Sequence, residues 1–166
     1  MEGSKVRFRG QEVTLKSGTD RFVLPPEIRK LVRQSSANDR ILCLQAHPTL
    51  PCLVGFGLSR EEELEAQIDK EESNAIALGR DYNRLKRQTE LFGFLTFPFD
   101  DSGRFVLPSN FIKHARIADR LYFQGAGPEF LIFNPDEVFK LDDEWAHLKI
   151  GCEGALERVR SGKAGK

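Results

Sequence analysis

The sequence has few of the residues that build disulfide-rich, metal-binding or membrane-spanning proteins. Among its 166 residues there are three cysteines, three histidines and one tryptophan. Three scattered cysteines are too few for a disulfide framework or a zinc site, and they fit a reducing compartment. No apolar run reaches the length of roughly 18 residues that a membrane-spanning helix needs. We therefore expect a cytoplasmic globular protein, and the opening residues contain no apolar segment typical of a secretory signal.

Residue patterns typical of enzymes are also missing. The histidines His47, His114 and His147 are dispersed, without the spacing of a metalloprotease motif. Cys43 is close to His47, but it lies in an apolar run typical of a buried strand. Neither a Gly-x-Ser-x-Gly motif nor a phosphate-binding P-loop occurs. The sequence predicts no enzyme activity, no metal and no cofactor.

The formal net charge is zero, from 25 basic and 25 acidic residues, but the two signs are unevenly distributed. Residues 1–35 carry a net charge of +4 and residues 60–72 carry −5. A neutral sum argues against a nucleic-acid binder, whose domains are usually basic. That objection would not hold if the basic segments came together in space to form one positive surface. If they lie apart, each charged segment is instead a solvated helix face.

An internal repeat organises the chain. The pentapeptide Arg-Phe-Val-Leu-Pro occurs at residues 21–25 and again at 104–108. Each copy is followed by a helix-compatible stretch, an Asp-Arg pair and two apolar runs. Such self-similarity indicates a duplicated unit, which reads as strand, turn, strand, short helix, strand, turn, strand. Alternation along the strands favours burial of Phe22 and Phe105.

Capping signals predict the helices. Ser59 begins a capping box, Ser73 or Asn74 can cap a second helix, and Ser109 and Asn134 can cap two more. We predict an α+β fold in which tandem pseudo-symmetric hairpin units form a small barrel-like sheet. The predicted segments are a first repeat at 1–58, a helical pair at 59–93, a second repeat at 94–134, and C-terminal helices with a flexible basic tail at 135–166, fraying after Leu156.

Three short motifs carry a family resemblance. They are Asp-x-x-Gly-Arg at residues 100–104, Leu-Pro at 107–108, and Gly-Ala-Gly at 125–127 before the last apolar run. Together with the two-copy layout, they resemble the MraZ family, a branch of the AbrB-like swapped-hairpin superfamily. The similarity extends from Phe8 through the helix that begins at Asn134.

The resemblance implies a transcriptional regulator, and specifically a repressor, of the bacterial cell-division and cell-wall gene cluster. It implies a ring-shaped homo-oligomer on repeated promoter sites, associated with the nucleoid and not with a membrane. Double-stranded DNA is then the partner, contacted by Arg21 and Arg104. Arg9, Arg7 and Lys16 are close to Arg21 in the sequence and would add phosphate contacts.

The first copy departs from the family pattern. It has Ser17, Thr19 and Asp20 where the family has Asp, Lys and Gly. Asp tolerates the left-handed backbone that Gly would adopt, so the turn can survive, but the loop loses positive charge beside Arg21. An alternative function is therefore an oligomeric scaffold or interaction protein with a degenerate first repeat. In that case each arginine would pair with a carboxylate, such as Asp20 or Asp101, and hold its own hairpin.

Overall fold

The computed structural model describes residues 5–162, and along that part of the chain pairs of strands are separated by one or two α-helices. In chain order the first copy contains β1 (Gln11–Leu15), β2 (Arg21–Val23), α1 (Pro26–Ser35), β3 (Ile41–Ala46) and β4 (Leu53–Phe56). The helical hairpin that follows contains α2 (Glu61–Ala77) and α3 (Arg84–Phe92). The second copy contains β5 (Leu95–Pro98), β6 (Arg104–Val106), α4 (Ser109–Ala115), β7 (Arg120–Gly125) and β8 (Phe130–Phe133). Two further helices are α5 (Pro135–Val138) and α6 (Ala146–Arg160).

The strands of the two copies interleave. Six strands form one antiparallel sheet in the order β1-β7-β8-β4-β3-β5, and β2 pairs with β6 in a separate two-stranded ribbon. Only the pairs β3–β4 and β7–β8, among those the described residues form, join strands of the same copy. The two repeats are therefore held together by their backbone hydrogen bonds and not only by side-chain packing.

The strand registers define a pseudo-twofold axis. Phe22 lies opposite Phe105 in the ribbon, and Val54 lies opposite Leu131 at the centre of the large sheet. In each pair the two residues hold equivalent positions in the two repeats. The two copies are therefore related by an approximate twofold rotation. This arrangement places their two Arg-Phe-Val sequences side by side in the ribbon.

The prediction of a barrel-like sheet is wrong, because the sheet is open. Its two outer strands are β1 and β5, which do not pair with each other in the described part of the chain. Helix α6 packs along β1, and Arg158 donates a hydrogen bond to the carbonyl oxygen of Gln11. A helix thus covers the strand at which a barrel would have to close.

Several helix ends also differ from the prediction. Helix α2 continues through Ser73 and Asn74, and the next helix begins only at Arg84, where the Asn83 side chain accepts a hydrogen bond from the backbone N–H of Lys86. Ser109 is the first residue of α4 and not its cap. Helix α6 continues to Arg160, beyond the expected fraying at Leu156, and the last four residues of the expected tail, 163–166, lie outside the described residues.

The main hydrophobic core lies between the ribbon and the large sheet. Phe22 and Phe105 are almost fully buried in it, as the strand alternation predicts, together with Phe56, Phe123 and Phe130 from the sheet. A second core lies between α6 and the β1–β7 side. Within residues 5–162, no helix is both long and apolar enough to cross a bilayer.

Candidate functional site

The β2–β6 ribbon presents both repeat arginines on one surface. Its register pairs Arg21 with Val106 and Val23 with Arg104, on either side of the Phe22–Phe105 pair. Successive side chains of a strand point to opposite faces. Because Phe22 and Phe105 point into the core, Arg21 and Arg104 occupy the outer face as a diagonal pair, both exposed to solvent.

Backbone and side-chain hydrogen bonds fix the ribbon to its surroundings. The N–H of Leu24 donates to the carbonyl of Gly103 (2.8 Å), and the N–H of Leu107 donates to the carbonyl of Asp20 (2.9 Å). Each strand is thereby tied to the turn of the other copy. Thr14 on β1 adds a hydrogen bond from Oγ1 to the carbonyl of Val23 (2.8 Å). The arginines therefore project from a constrained backbone.

Asp100 organises the turn that precedes Arg104. One carboxylate oxygen, Oδ1, accepts hydrogen bonds from the backbone N–H groups of Ser102 and Arg104, both at 2.9 Å, and Oδ2 accepts one from Nε of Arg104 at 2.7 Å. The backbone N–H of Arg104, followed by its guanidinium, holds the pKa of Asp100 below its ordinary value. Within residues 5–162, neither Nη1 nor Nη2 of Arg104 has a side-chain partner, so the end of the guanidinium remains available.

The first turn keeps its shape despite its different sequence. Asp20 has φ of 54° and Gly103, its equivalent in the second copy, has φ of 85°. Asp20 thus tolerates the left-handed backbone in place of Gly, and the turn survives, as the sequence allowed. In the described part of the chain, Arg21 forms no ion pair, so the pairing with Asp20 that the scaffold alternative suggested does not occur. Asp101 pairs with Arg40, and the carboxylate that pairs with Arg104 is Asp100.

The structure separates the three other candidate cations. Lys16 is exposed at the end of β1, with Nζ 5.9 Å from the centroid of the Phe22 ring, and so it lies beside the ribbon. Arg7 and Arg9 belong to a segment that pairs through Phe8 with Gly127 at the β7–β8 turn. Arg9 is 4.0 Å from Glu27 in the first turn of α1, and Arg7 donates to the carbonyl of Val6. Arg9 therefore lies beside α1, and neither arginine belongs to the ribbon.

A group of cations that sequence reasoning did not assign to the site lies beside the second turn. Arg29, Lys30 and Arg33 of α1, with Arg40, line a cleft of about 810 Å³ whose opposite wall includes Asp100 and Asp101. We refer to these four residues and this space as the cationic cleft. The basic composition of residues 1–35 was the available signal. That signal could not show where the cations lie, because the position of α1 depends on the pairing of β2 with β6. This pairing places the helix of the first copy beside the turn of the second copy.

A basic segment at residues 80–87 has a structural role. Arg84 pairs with Asp69 and Glu72 at 2.9 and 2.8 Å, and Arg87 donates from Nε to Glu71 at 2.9 Å. Hydrogen bonding from Arg87 lowers the pKa of Glu71 to about 2. This segment holds α3 against α2 and is not part of the ribbon surface.

Groups suited to metal or thiol chemistry are not assembled. Within residues 5–162, no three His, Cys, Asp or Glu side chains are placed to hold a metal ion. Cys43, Cys52 and Cys152 are free and buried, and burial raises the pKa of each thiol. What the site offers is a pair of guanidinium groups on a constrained ribbon, which suits recognition of anions and planar acceptors.

The fold and the site define a duplicated, interleaved α+β protein that carries paired arginines on an exposed β-ribbon. The sequence is similar to those of several curated proteins named transcriptional regulator MraZ. The relative from Rhodospirillum rubrum is 37% identical over 87 residues, which cover 51% of this chain and only 52% of that protein. The relative from Ruegeria pomeroyi is 26% identical, covering 84% and 86% of the two chains. The relative from Rickettsia akari is 30% identical, covering 68% and 70%. No protein-family model matches the chain. On the extent of these similarities, the chain belongs to the MraZ family.

Proposed function

We propose that the chain is a sequence-specific DNA-binding transcriptional regulator. The observation that carries the proposal is the outer face of the β2–β6 ribbon, where Arg21 and Arg104 project from a backbone fixed on both sides. The major groove of B-DNA admits a two-stranded β-ribbon, and an arginine fork can bind guanine through two hydrogen bonds. The names of the family relatives support the same function.

Arg104 is the better placed of the two arginines. Its Nε is held by Asp100, and within residues 5–162 neither terminal nitrogen of the guanidinium has a side-chain partner, so both can form parallel hydrogen bonds to a base. Among the described residues, Arg21 has no such support, and it follows Asp20, whose negative charge would repel a phosphate. We therefore propose that Arg104 makes the base contact and that Arg21 makes the weaker contact, with Lys16 beside it on a phosphate.

The assembly and the target belong to the same proposal. We infer a ring-shaped homo-oligomer that represses the bacterial cell-division and cell-wall gene cluster from repeated promoter sites, in the cytoplasm and at the nucleoid. Large apolar side chains at the end of the helical hairpin support self-association: Ile76, Leu78 and Leu85 are all more than 60% exposed. Many ribbons at a fixed spacing would gain avidity although each binds weakly.

The proposal is tested with the full-length protein and DNA from upstream of its own gene. Gel shifts at 50 and 200 mM salt should give binding that weakens steeply as salt rises, since phosphate contacts release counterions. Arg104→Ala should weaken binding to this DNA by roughly 5- to 150-fold, the range for one bidentate base contact. Arg104→Lys keeps the charge but loses the fork, so it should also lose discrimination against a scrambled duplex.

The remaining alternative is an oligomeric scaffold, which the Asp100–Arg104 pair favours because that arginine already has a carboxylate partner. A scaffold would form the same oligomer, measurable by sedimentation velocity, but would bind the upstream DNA at neither salt concentration. Unchanged binding and discrimination in the Arg104 variants would instead contradict the role given to this residue.

A further inference from the structure

The cationic cleft is built by contacts that hold its side chains in place. Arg29 donates from Nη2 to the carbonyl of Leu24 at 3.0 Å, while its Nε is buried and unpartnered in the described residues. Arg33 donates from Nε to the carbonyl of Asn38 at 2.8 Å. Arg40 pairs with Asp101 on the opposite wall. Lys30 is exposed on the same helix.

The charge of the cleft is only partly neutralised. Four cations face the two carboxylates of Asp100 and Asp101, and both of these are already engaged, by Arg104 and Arg40 respectively. Lys30 and Arg33 form no ion pair with any residue between 5 and 162. A surface of this kind attracts anions, and guanidinium groups suit the geometry of phosphate oxygens.

Within residues 5–162, the equivalent positions of the second copy leave less positive charge unpaired. Arg29 corresponds to Ile112 in α4, and Lys30 corresponds to Lys113. Arg33 and Arg40 correspond to Arg116 and Arg120, but Arg116 donates to Glu137 at 2.8 Å and Arg120 pairs with Asp119 and Asp136. Because the copies interleave, the cation-rich helix lies beside the turn that keeps the Asp-x-x-Gly-Arg motif. One side of the ribbon therefore combines unpaired cations with this motif, whereas the other side has a turn without the motif and arginines that are paired with carboxylates.

We propose that the cationic cleft binds backbone phosphates of the DNA whose groove the ribbon enters, a conclusion that rests on the proposed function. Asp100 connects the two surfaces, since it lines the cleft and holds Arg104. Phosphate contacts set the orientation of a protein on its duplex. With such contacts on one side only, each protomer binds its DNA repeat in a single orientation, anchored by the second turn and by α1.

The test measures how affinity depends on salt. Fluorescence anisotropy with the full-length protein gives binding constants for the upstream DNA and for a scrambled duplex between 50 and 200 mM salt. Lys30→Ala/Arg33→Ala should reduce the slope of log K against log salt by about 2, since each lost phosphate contact reduces it by about 1. Over a fourfold rise in salt, the variant should therefore lose roughly tenfold less affinity than the wild type. Both duplexes should be affected equally, because phosphates carry no base identity.

Two control variants remove positive charge elsewhere, two charges in the first and one in the second. Lys70→Ala/Lys149→Ala changes two lysines on α2 and α6, and it should leave the slope unchanged. Lys113→Ala, the counterpart of Lys30 on α4, should also leave it unchanged if binding is one-sided. Arg29 is not substituted, because it packs against the second turn.

The possible results separate the cleft from the ribbon. If DNA binding depends on Arg104 but Lys30→Ala/Arg33→Ala keeps the wild-type slope, the cleft does not bind phosphate and the proposed function stands. A reduced slope in Lys113→Ala would overturn the single orientation. If the wild type binds no DNA, both proposals fail. In that case, binding of inorganic pyrophosphate to the wild type but not to Lys30→Ala/Arg33→Ala would show that the cleft binds a free anion instead.

Discussion

Replacing Gly103 with alanine should damage the site more than any other glycine substitution at a comparable backbone conformation. Gly103 has φ of +85°, and a Cβ built there would lie 2.5 Å from Nε of Arg29 and 2.8 Å from the carbonyl oxygen of Leu24. That carbonyl also accepts the hydrogen bond from Arg29 that supports the cationic cleft. The substitution thus perturbs the turn, the cleft and the start of α1 together.

Gly127 is a matched control for the free-energy cost of placing alanine in left-handed backbone, without the steric clash. Its φ is +83°, nearly the same, but a Cβ there would meet no atom within 4 Å. Left-handed backbone costs a residue with a side chain about 1–2 kcal/mol, offset in part by lower entropy of the unfolded chain, which leaves about 1 kcal/mol. Overpacking adds about 1–3 kcal/mol at position 103 only. The expected losses are about 1 kcal/mol for Gly127→Ala and about 2–4 kcal/mol for Gly103→Ala.

Thermal and urea unfolding of the two variants measure this difference. In a chain of this size about 1 kcal/mol shifts Tm by roughly 2–4 °C, so Gly103→Ala should have clearly the lower Tm. Gly103→Ala should also reduce the salt dependence of DNA binding, because Arg29 must move. Equal losses of stability in the two variants would refute the packing of Arg29 and Leu24 against the second turn.

Three other predictions concern acid stability, the first turn and the thiols. The pKa of Glu71 is lowered from 4.5 to about 2 by the hydrogen bond from Arg87, so its contribution to stability is present above pH 4.5 and is lost as the pH falls towards 2. The difference in free energy of unfolding between the wild type and Arg87→Met should therefore narrow over that range, and a constant difference in urea titrations would contradict the assignment. Asp20→Gly should strengthen DNA binding in anisotropy assays, because it removes a negative charge beside Arg21 at a position where glycine adopts the same φ; weaker binding would show that Asp20 itself is needed. Ellman's reagent should label thiols only after unfolding, because burial raises the pKa of every cysteine. Rapid labelling of the native protein would contradict the buried positions of Cys43, Cys52 and Cys152.

Local sequence signals predicted the parts of the site that depend on neighbouring residues. The alternation in Arg-Phe-Val placed Phe22 and Phe105 in the core and left the arginines outside. The known tolerance of Asp for left-handed backbone allowed the positive φ that Asp20 has. Asn134 was correctly identified as a cap, with its side chain accepting from the N–H of Asp136. Each of these features is set within a few residues of chain.

Features that depend on pairing between distant segments were not predictable in the same way. The barrel-like sheet was wrong because closure depends on what covers β1, and that is α6, more than 130 residues later in the chain. The cationic cleft was missed because nothing near Arg29 in the sequence reveals that Gly103 will lie against it. A repeat specifies that two units are alike, but it does not specify whether their strands pair within a copy or between copies.

The interleaved pairing also explains how a chain with no net charge can present a cationic surface. Asp69 and Glu71 of α2 are bound by Arg84 and Arg87, and Glu137 is bound by Arg116 and Lys140, so these carboxylates are neutralised away from the ribbon. Within residues 5–162, Arg21, Lys30 and Arg33 have no acidic partner. Attraction of a polyanion depends on local potential within about 10 Å at moderate salt, not on the sum over the chain. Because β2 of the first copy pairs with β6 of the second, the unpaired cations Lys30 and Arg33 of α1 lie beside the turn that precedes Arg104. The salt-dependence experiment measures the effect of this local excess of positive charge.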